Sequence, residues 1–339
     1  MLRLYKPIEH DIFKLQAMLE HLVCNVWCEA NEDETCESKL DAEFKAIYNS
    51  YEWLKNKVDE IYTKFIPLSI EDKQNIKNAF ITDNKIEELC NGDVSPIYLN
   101  ALPDIVENEI KPLLVNFYET LLERASVPGT KKDYYEKLIE ENDFQYCPCC
   151  GLEGFESADS KLREAFDHYL PKAHYPFASV NFNNLVPLCY KCNSGRKKAK
   201  DPIKHGRKAF YPFIVEGKPE HHIEIKITID KSKDLGKLDK EDLTIGFDGD
   251  TEKIGTWDSL FDIKERYNDT TRSISKTLLQ RIKRRHQLFK KNNTDWSYDN
   301  TLDFLIDDYE NDLYEDRKFL KKPFMVELKS STNLIEVYG

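Results

Sequence analysis

The sequence predicts an α+β protein in three regions, and three observations carry that expectation. Over residues 1–128 apolar side chains recur at helical spacing. Over 144–208 cysteine, proline, asparagine and glycine punctuate the chain, and too few apolar residues remain for a separate core. Over 209–339 a strand-like alternation is followed by further helical pattern.

The elements follow in order. Leu54, Val58, Ile61 and Phe65 fall at four-three-four spacing, which places them on one face of a helix. Val106, Ile110, Leu113, Phe117 and Leu121 repeat the pattern, with Pro112 either kinking that helix or marking its true start. Val127-Pro128-Gly129-Thr130 reads as a linker. The run Ile223 to Ile229 alternates apolar and polar residues, as a half-buried strand does. Leu278, Ile282, Leu288 and Phe289 make an amphipathic helix of the basic block Lys276 to Lys291. There is no internal repeat, no phosphate-binding loop and no dinucleotide-binding fingerprint.

Composition bounds the function. Hydrophobic residues make up 40% of the 339, enough for ordinary cores. No apolar run reaches the ~18 residues of a membrane helix. The opening MLRLYKPIEHDIF lacks a secretory layout, so a cytoplasmic protein with reduced cysteines is expected. The net charge of −12 looks wrong for a nucleic-acid binder, but it is unevenly spread. Residues 1–144 carry 16 basic against 29 acidic side chains, and residues 211–339 carry 22 against 26. Residues 145–210 reverse the sign, with 11 against 6, and Lys276 to Lys291 holds seven basic residues and no acid. Since the local field decides where a polyanion docks, the acidic total does not exclude nucleic acid.

Nine cysteines without an export signal point to metal or catalysis before disulfides. Cys147 and Cys150 form one C-x2-C pair, and Cys189 and Cys192 another. Four thiolates so arranged suit a closed tetrahedral zinc site, whose binding free energy would stand in for the missing core. Cys149 reads as a bystander. Cys24, Cys28 and Cys36 with His21 could in principle hold a second metal, but Cys24 and Cys28 lie one helical turn apart beside Val23 and Trp27, and a core face is the preferred reading.

Between and after the knuckles stand Phe166-Asp167-His168-Tyr169-Leu170-Pro171-Lys172, Asn183-Asn184-Leu185-Val186-Pro187-Leu188-Cys189 and Cys192-Asn193-Ser194-Gly195-Arg196-Lys197-Lys198. This order resembles the HNH (ββα-metal) endonucleases over about 147–200, in the variant with asparagine (Asn193) at the last histidine. The resemblance implies a ββα-metal core within 144–208 and metal-dependent hydrolysis of nucleic-acid phosphodiesters, DNA ahead of RNA. It assigns His168 as general base, a role a neutral histidine can fill near pH 7. Asp167 and Asn193 would be oxygen ligands for Mg²⁺ or Mn²⁺. Asn184 would bond the backbone of the loop carrying His168. Lys172, Arg196, Lys197 and Lys198 would grip flanking phosphates, the last three from a helix after the second knuckle. Blander readings stand beside these: a capping Asp-His pair, a turn asparagine and a solvated basic helix face. His174, beside Tyr175-Pro176-Phe177, is read as part of a packed loop, and His221-His222 as a solvated turn.

Over the whole chain, Tyr175 to Asn181, Phe210-Tyr211-Pro212-Phe213 and Trp257 to Phe261 look like HNH proteins of bacterial anti-phage systems, nearest the HNH component of Septu and some retron systems. That likeness implies a partner ATPase that restrains or triggers the nuclease. The competing class is a zinc-ribbon module that binds nucleic acid, or serves as a scaffold, and cuts nothing. Cleavage of RNA such as tRNA is the alternative among nucleases.

Overall fold

A computed structural model describes residues 1–339 except 125, 220, 293 and 330–339. The chain is α+β, with helices and two small antiparallel hairpins. It divides into two compact units. Apart from the first residues, one comprises 3–144 with 155–218, the other 145–154 with 219–339.

In the first unit, α1 (Lys14–His21) continues into a π-helical stretch, Leu22–Trp27. Then come α2 (Cys36–Lys39), α3 (Ala42–Ser50), α4 (Glu52–Phe65), α5 (Ile70–Asp83), α6 (Ile86–Asn91), α7 (Lys111–Glu119) and α8 (Lys131–Asn142). Thr35, Asp41, Ser69 and Thr130 cap α2, α3, α5 and α8, each accepting a backbone N–H of the first turn. On α4 the stripe Leu54, Val58, Ile61 and Phe65 is fully buried. Pro112 lies in the first turn of α7, just after the backbone changes from π-helical to α-helical geometry. The helical backbone runs unbroken from the π-helical segment Val106–Ile110 into α7, so the proline sits at the junction of two helical stretches and does not begin the helix. Cys24, Cys28 and Cys36 are buried, and burial raises all three thiol pKa values. His21 Nε2 meets the Lys39 carbonyl at 2.9 Å.

The unit also holds β1 (Phe166–His168) and β2 (Leu185–Pro187), paired antiparallel. Their segment borrows its apolar support from the N-terminal helices. Tyr169, Leu170, Tyr175 and Ala178 pack with Ile86, Leu89 and Cys90 of α6.

The second unit is built on β3 (Glu224–Ile229) paired with β4 (Leu243–Asp248), Ile227 facing Ile245. Four helices follow: α9 (Thr251–Phe261), the 30-residue α10 (Ile263–Asn292), α11 (Tyr298–Asp308) and α12 (Lys318–Lys329). α12 packs on β3 and α10 on β4. The region expected at 209–339 ends in ten residues that lie outside those described.

Candidate active site

The β1–β2 hairpin sets Asp167 opposite Val186 and His168 opposite Leu185. Neighbours on a strand face opposite sides. Asp167 is accordingly buried, at 2% exposure, while His168 is half-buried. The chain leaves β1 through a loop that returns in two short turns, Pro176–Ala178 and Phe182–Asn184. Asn184 closes that loop from inside. Its Oδ1 accepts from Leu170 N at 2.7 Å, and its Nδ2 donates to the carbonyls of Leu170 (2.9 Å) and Ala178 (3.1 Å). The Asn184 carbonyl accepts Tyr169 N at 2.9 Å. Every one of these groups is buried, so each bond withheld would leave a polar atom without water.

His168 Nε2 lies 3.0 Å from the Ser179 carbonyl. A carbonyl only accepts, so Nε2 carries the proton and Nδ1 keeps its lone pair. Ser179 is itself held by its Oγ, which donates to the Pro176 carbonyl at 2.6 Å. The Tyr118 ring of α7 meets the imidazole edge-on, centroids 4.5 Å apart. Burial, with the Lys172 ammonium second, pushes the His168 pKa down to about 3, against the bond to Ser179. The imidazole is thereby neutral at physiological pH, the form a general base needs.

The structure corrects one expectation about the basic run. The helix expected after the second knuckle is a single turn, Asn193–Lys197. Lys197, expected to face phosphates, is fully buried. Its Nζ pairs with Asp167 Oδ2 at 2.9 Å and donates to the His168 carbonyl at 2.7 Å. The reason is local. The turn seats Lys197 against β1, where Asp167 and the His168 carbonyl take its ammonium, and the helical geometry ends at Lys198, φ +52°, whose side chain is exposed. Burial raises the Asp167 pKa, and the Lys197 ammonium works against that rise. Arg196 is half-buried, donating to the Lys191 carbonyl at 3.3 Å. Asn193 Nδ2 reaches the Ala165 carbonyl at 3.4 Å. Lys172 pairs with Glu119 at 2.9 Å. His174 is exposed, its backbone N–H closing a turn on Pro171.

For an oxygen-seeking divalent ion, Asp167 and Asn193 offer a carboxylate and an amide, which is suitable chemistry. The carboxylate already has a counter-ion in Lys197, and an entering metal must exchange with it.

The sulfurs of Cys147, Cys150, Cys189 and Cys192 lie within 4.8 Å of one another, all four residues buried. Zinc–thiolate bonds of about 2.3 Å require sulfurs that close. Among the described residues no other group of three or more histidine, cysteine or acidic side chains is placed to hold a metal, and His21 with Cys24, Cys28 and Cys36 does not form one. Gly151, φ +67°, turns the first knuckle where a Cβ would come within 2.7–2.8 Å of Leu2 and Phe319 atoms. Three supporting residues escaped sequence reasoning. Arg266 Nη2 stands 3.2 Å from Cys150 Sγ, Tyr267 OH donates to the Cys150 carbonyl, and Trp257 Nε1 donates to the Cys149 carbonyl. Nothing at 257–267 repeats a spacing that would tie these residues to the cysteines. Tyr118 was likewise hidden, on a helix whose apolar stripe is the visible pattern.

No protein-family model matches the sequence, and no solved structure matches it. Two curated proteins match in part. Over 110 residues, 32% of this chain, it is 34% identical to Protein ea31 of Escherichia phage lambda. Over 99 residues, 29% of this chain, it is 35% identical to Septu protein PtuB of Bacillus thuringiensis. The chain spans about a third of each relative, 34% of its length in both cases.

Proposed function

We propose that the chain is an HNH-type hydrolase of nucleic-acid phosphodiester bonds that acts in anti-phage defence. His168 carries the catalytic part. It is a neutral imidazole, fixed through Nε2, with Nδ1 left to take a proton, on a loop clamped by Asn184. The defence role rests on the partial likeness to Septu protein PtuB. A partner ATPase that triggers the enzyme belongs to the same proposal.

Hydrolysis needs a base for the attacking water, positive charge near the phosphate and a hold on the strand. His168 Nδ1 accepts the proton of that water. Asn184 and Ser179 keep the imidazole from swinging, so little reorganisation accompanies the transfer. Arg196 and Lys198 hold phosphates flanking the scissile one. A Mg²⁺ or Mn²⁺ ion held by Asp167 and Asn193 would neutralise charge developing on the phosphate. The four cysteines hold a structural zinc. The preferred substrate is DNA, with RNA second.

One observation favours a second reading. Lys197 already neutralises Asp167, as suits a zinc-stapled module that binds nucleic acid without cutting it. Purified protein incubated with plasmid DNA or RNA and Mg²⁺ or Mn²⁺ separates the two. The wild type should cut. His168→Ala should cut at least ~100-fold more slowly, since a general base contributes typically 10²–10⁴-fold, and should still bind. Undiminished cutting by His168→Ala, or binding without any cutting by the wild type, overturns the enzymatic reading.

A further inference from the structure

We infer that one face of α10 is a nucleic-acid docking surface in its own right, independent of whether the chain cuts. The buried face of α10 contains Tyr267, Thr271, Ser275, Leu278, Ile282 and His286. Lys276, Lys283, Arg284, Lys290 and Lys291 return at steps of seven, one, six and one, which at about 100° per residue gathers them into one sector roughly 120° wide. Gln280 and Gln287 fall in the same sector. The row is about 22 Å long at 1.5 Å per residue.

What marks this row is its lack of partners. Elsewhere in the same unit many cations have acidic partners. Lys226 pairs with Asp248, Lys231 with Glu327, Lys240 with Glu265 and Arg272 with Asp269. Lys318, Lys321, Lys322 and Lys329 also have acidic partners. Arg281, outside the row, reaches Asp316 at 3.8 Å. Among the described residues, Lys276, Lys283, Arg284, Lys290 and Lys291 make no ion pair, although Asp234 borders the Lys276 end. Four of the five are exposed and Lys283 is half-buried. Like charges a turn or two apart repel, a cost a helix carries uncompensated until an anion arrives.

The shape of the row identifies the anion. Five cations in a line about 22 Å long match a linear polyanion, roughly six or seven phosphates of one strand at 3.4 Å each. The amides of Gln280 and Gln287 can donate to phosphate and sugar oxygens between the charges. A membrane surface would call for large apolar side chains beside the cations. The exposed apolar residue nearby, Leu288 at 45%, sits on the flank of this sector rather than within it. Nucleic acid is the fitting partner.

The test uses the full-length, zinc-loaded protein and fluorescein-labelled duplex DNA and single-stranded RNA, read by anisotropy across a salt series. Lys283→Gln, Arg284→Gln, Lys290→Gln and Lys291→Gln combined should weaken binding at low salt at least ~10-fold. The log–log salt slope should fall by about three to four units for duplex DNA, close to 0.9 for each phosphate no longer neutralised. Far-UV circular dichroism checks that α10 survives, and the milder pair Lys290→Gln with Lys291→Gln should lower the slope by about two units if the fourfold variant misfolds. Wild-type-like binding by a folded variant overturns the inference. So does an effect confined to phosphatidylserine vesicles, or a wild type that binds neither nucleic acid.

Discussion

At the scale of single residues, this protein places ionisable groups where their charged forms are disfavoured. His168 is one, and Asp83 at the end of α5 is another. Asp83 is fully buried, and its Oδ1 accepts one bond, from Ile97 N at 3.3 Å. Its Oδ2 has no partner. Burial pushes its pKa up to about 8, against the bond from Ile97. The folded protein therefore keeps this proton while the unfolded chain loses it near the ordinary carboxylate pKa of about 3.9. Between those two values the native state binds more protons, so stability falls as pH rises through the window and levels off above it. Asp83→Asn keeps the acceptor and removes the ionisation. Its melting temperature should match wild type near pH 4 and exceed it increasingly toward pH 8. A gain of 1 kcal/mol would read as roughly 2–4 °C in a unit of this size. Parallel pH profiles for the two proteins would show that Asp83 ionises freely. None of this was legible in the sequence. Asp83 sits among ordinary helix residues, and only the packing around α5 removes it from water.

Between elements, the Lys197–Asp167 pair ties β1 to the turn after the second knuckle, and it is as deeply buried as the apolar core. Breaking one side of such a pair is costly, typically about 3–5 kcal/mol, because the other charge is stranded. Lys197→Met should be destabilised by that order, and Asp167→Asn combined with it should recover much of the deficit. Chemical denaturation of both singles and the double measures the coupling, and simple additivity would show that the ammonium is not Asp167's counter-ion. The sequence separated these elements unevenly. The α4 stripe and the apolar face of α7 follow from spacing, because a helix of three turns repeats its pattern often enough to be seen. β1 and β2 are three residues each, too short for any period, and their residues stand out only through their chemistry. β4 alternates at Leu243, Ile245 and Phe247, but Gly246 blurs the pattern, and its pairing with β3 emerged only in three dimensions. The π-helical stretches at 22–27 and 106–110 have no sequence signature that hydrophobic spacing can detect.

At the scale of the whole molecule, the excess of acid conceals two different fates for its cations. Most lysines are spent inside ion pairs, and Lys197, counted from sequence among the phosphate-facing residues, is one of them. Among the described residues, Lys198 after the second knuckle and four of the five cations in the row on α10 are exposed and make no ion pair, and these are cations a polyanion would meet. Charge counting located both basic segments, since net charge along a chain needs no fold to be read. It could not tell a buried lysine from an exposed one, because that depends on which side of the turn packs against β1. The same limit explains the site. The residue types around His168 were legible, whereas Tyr118, Ser179 and the orientation of the imidazole depend on chain segments 11 and 50 residues away.

The hydrogen bond from the Trp257 indole to the Cys149 carbonyl turns the first knuckle into its own optical probe. Indole emission follows the polarity around the ring, and Trp257 is buried, with Phe247 and Tyr267 against it. Stripping the metal with a chelator, or replacing Cys150 with serine, should loosen the knuckle backbone, let water reach the indole and shift emission to the red. Elemental analysis should show about one zinc per chain leaving in step with that shift, as one tetrahedral ion on four thiolates requires. Trp257→Phe should lose the same zinc without the same signal. Emission that stays fixed while the metal leaves would mean that the knuckle holds its shape without zinc.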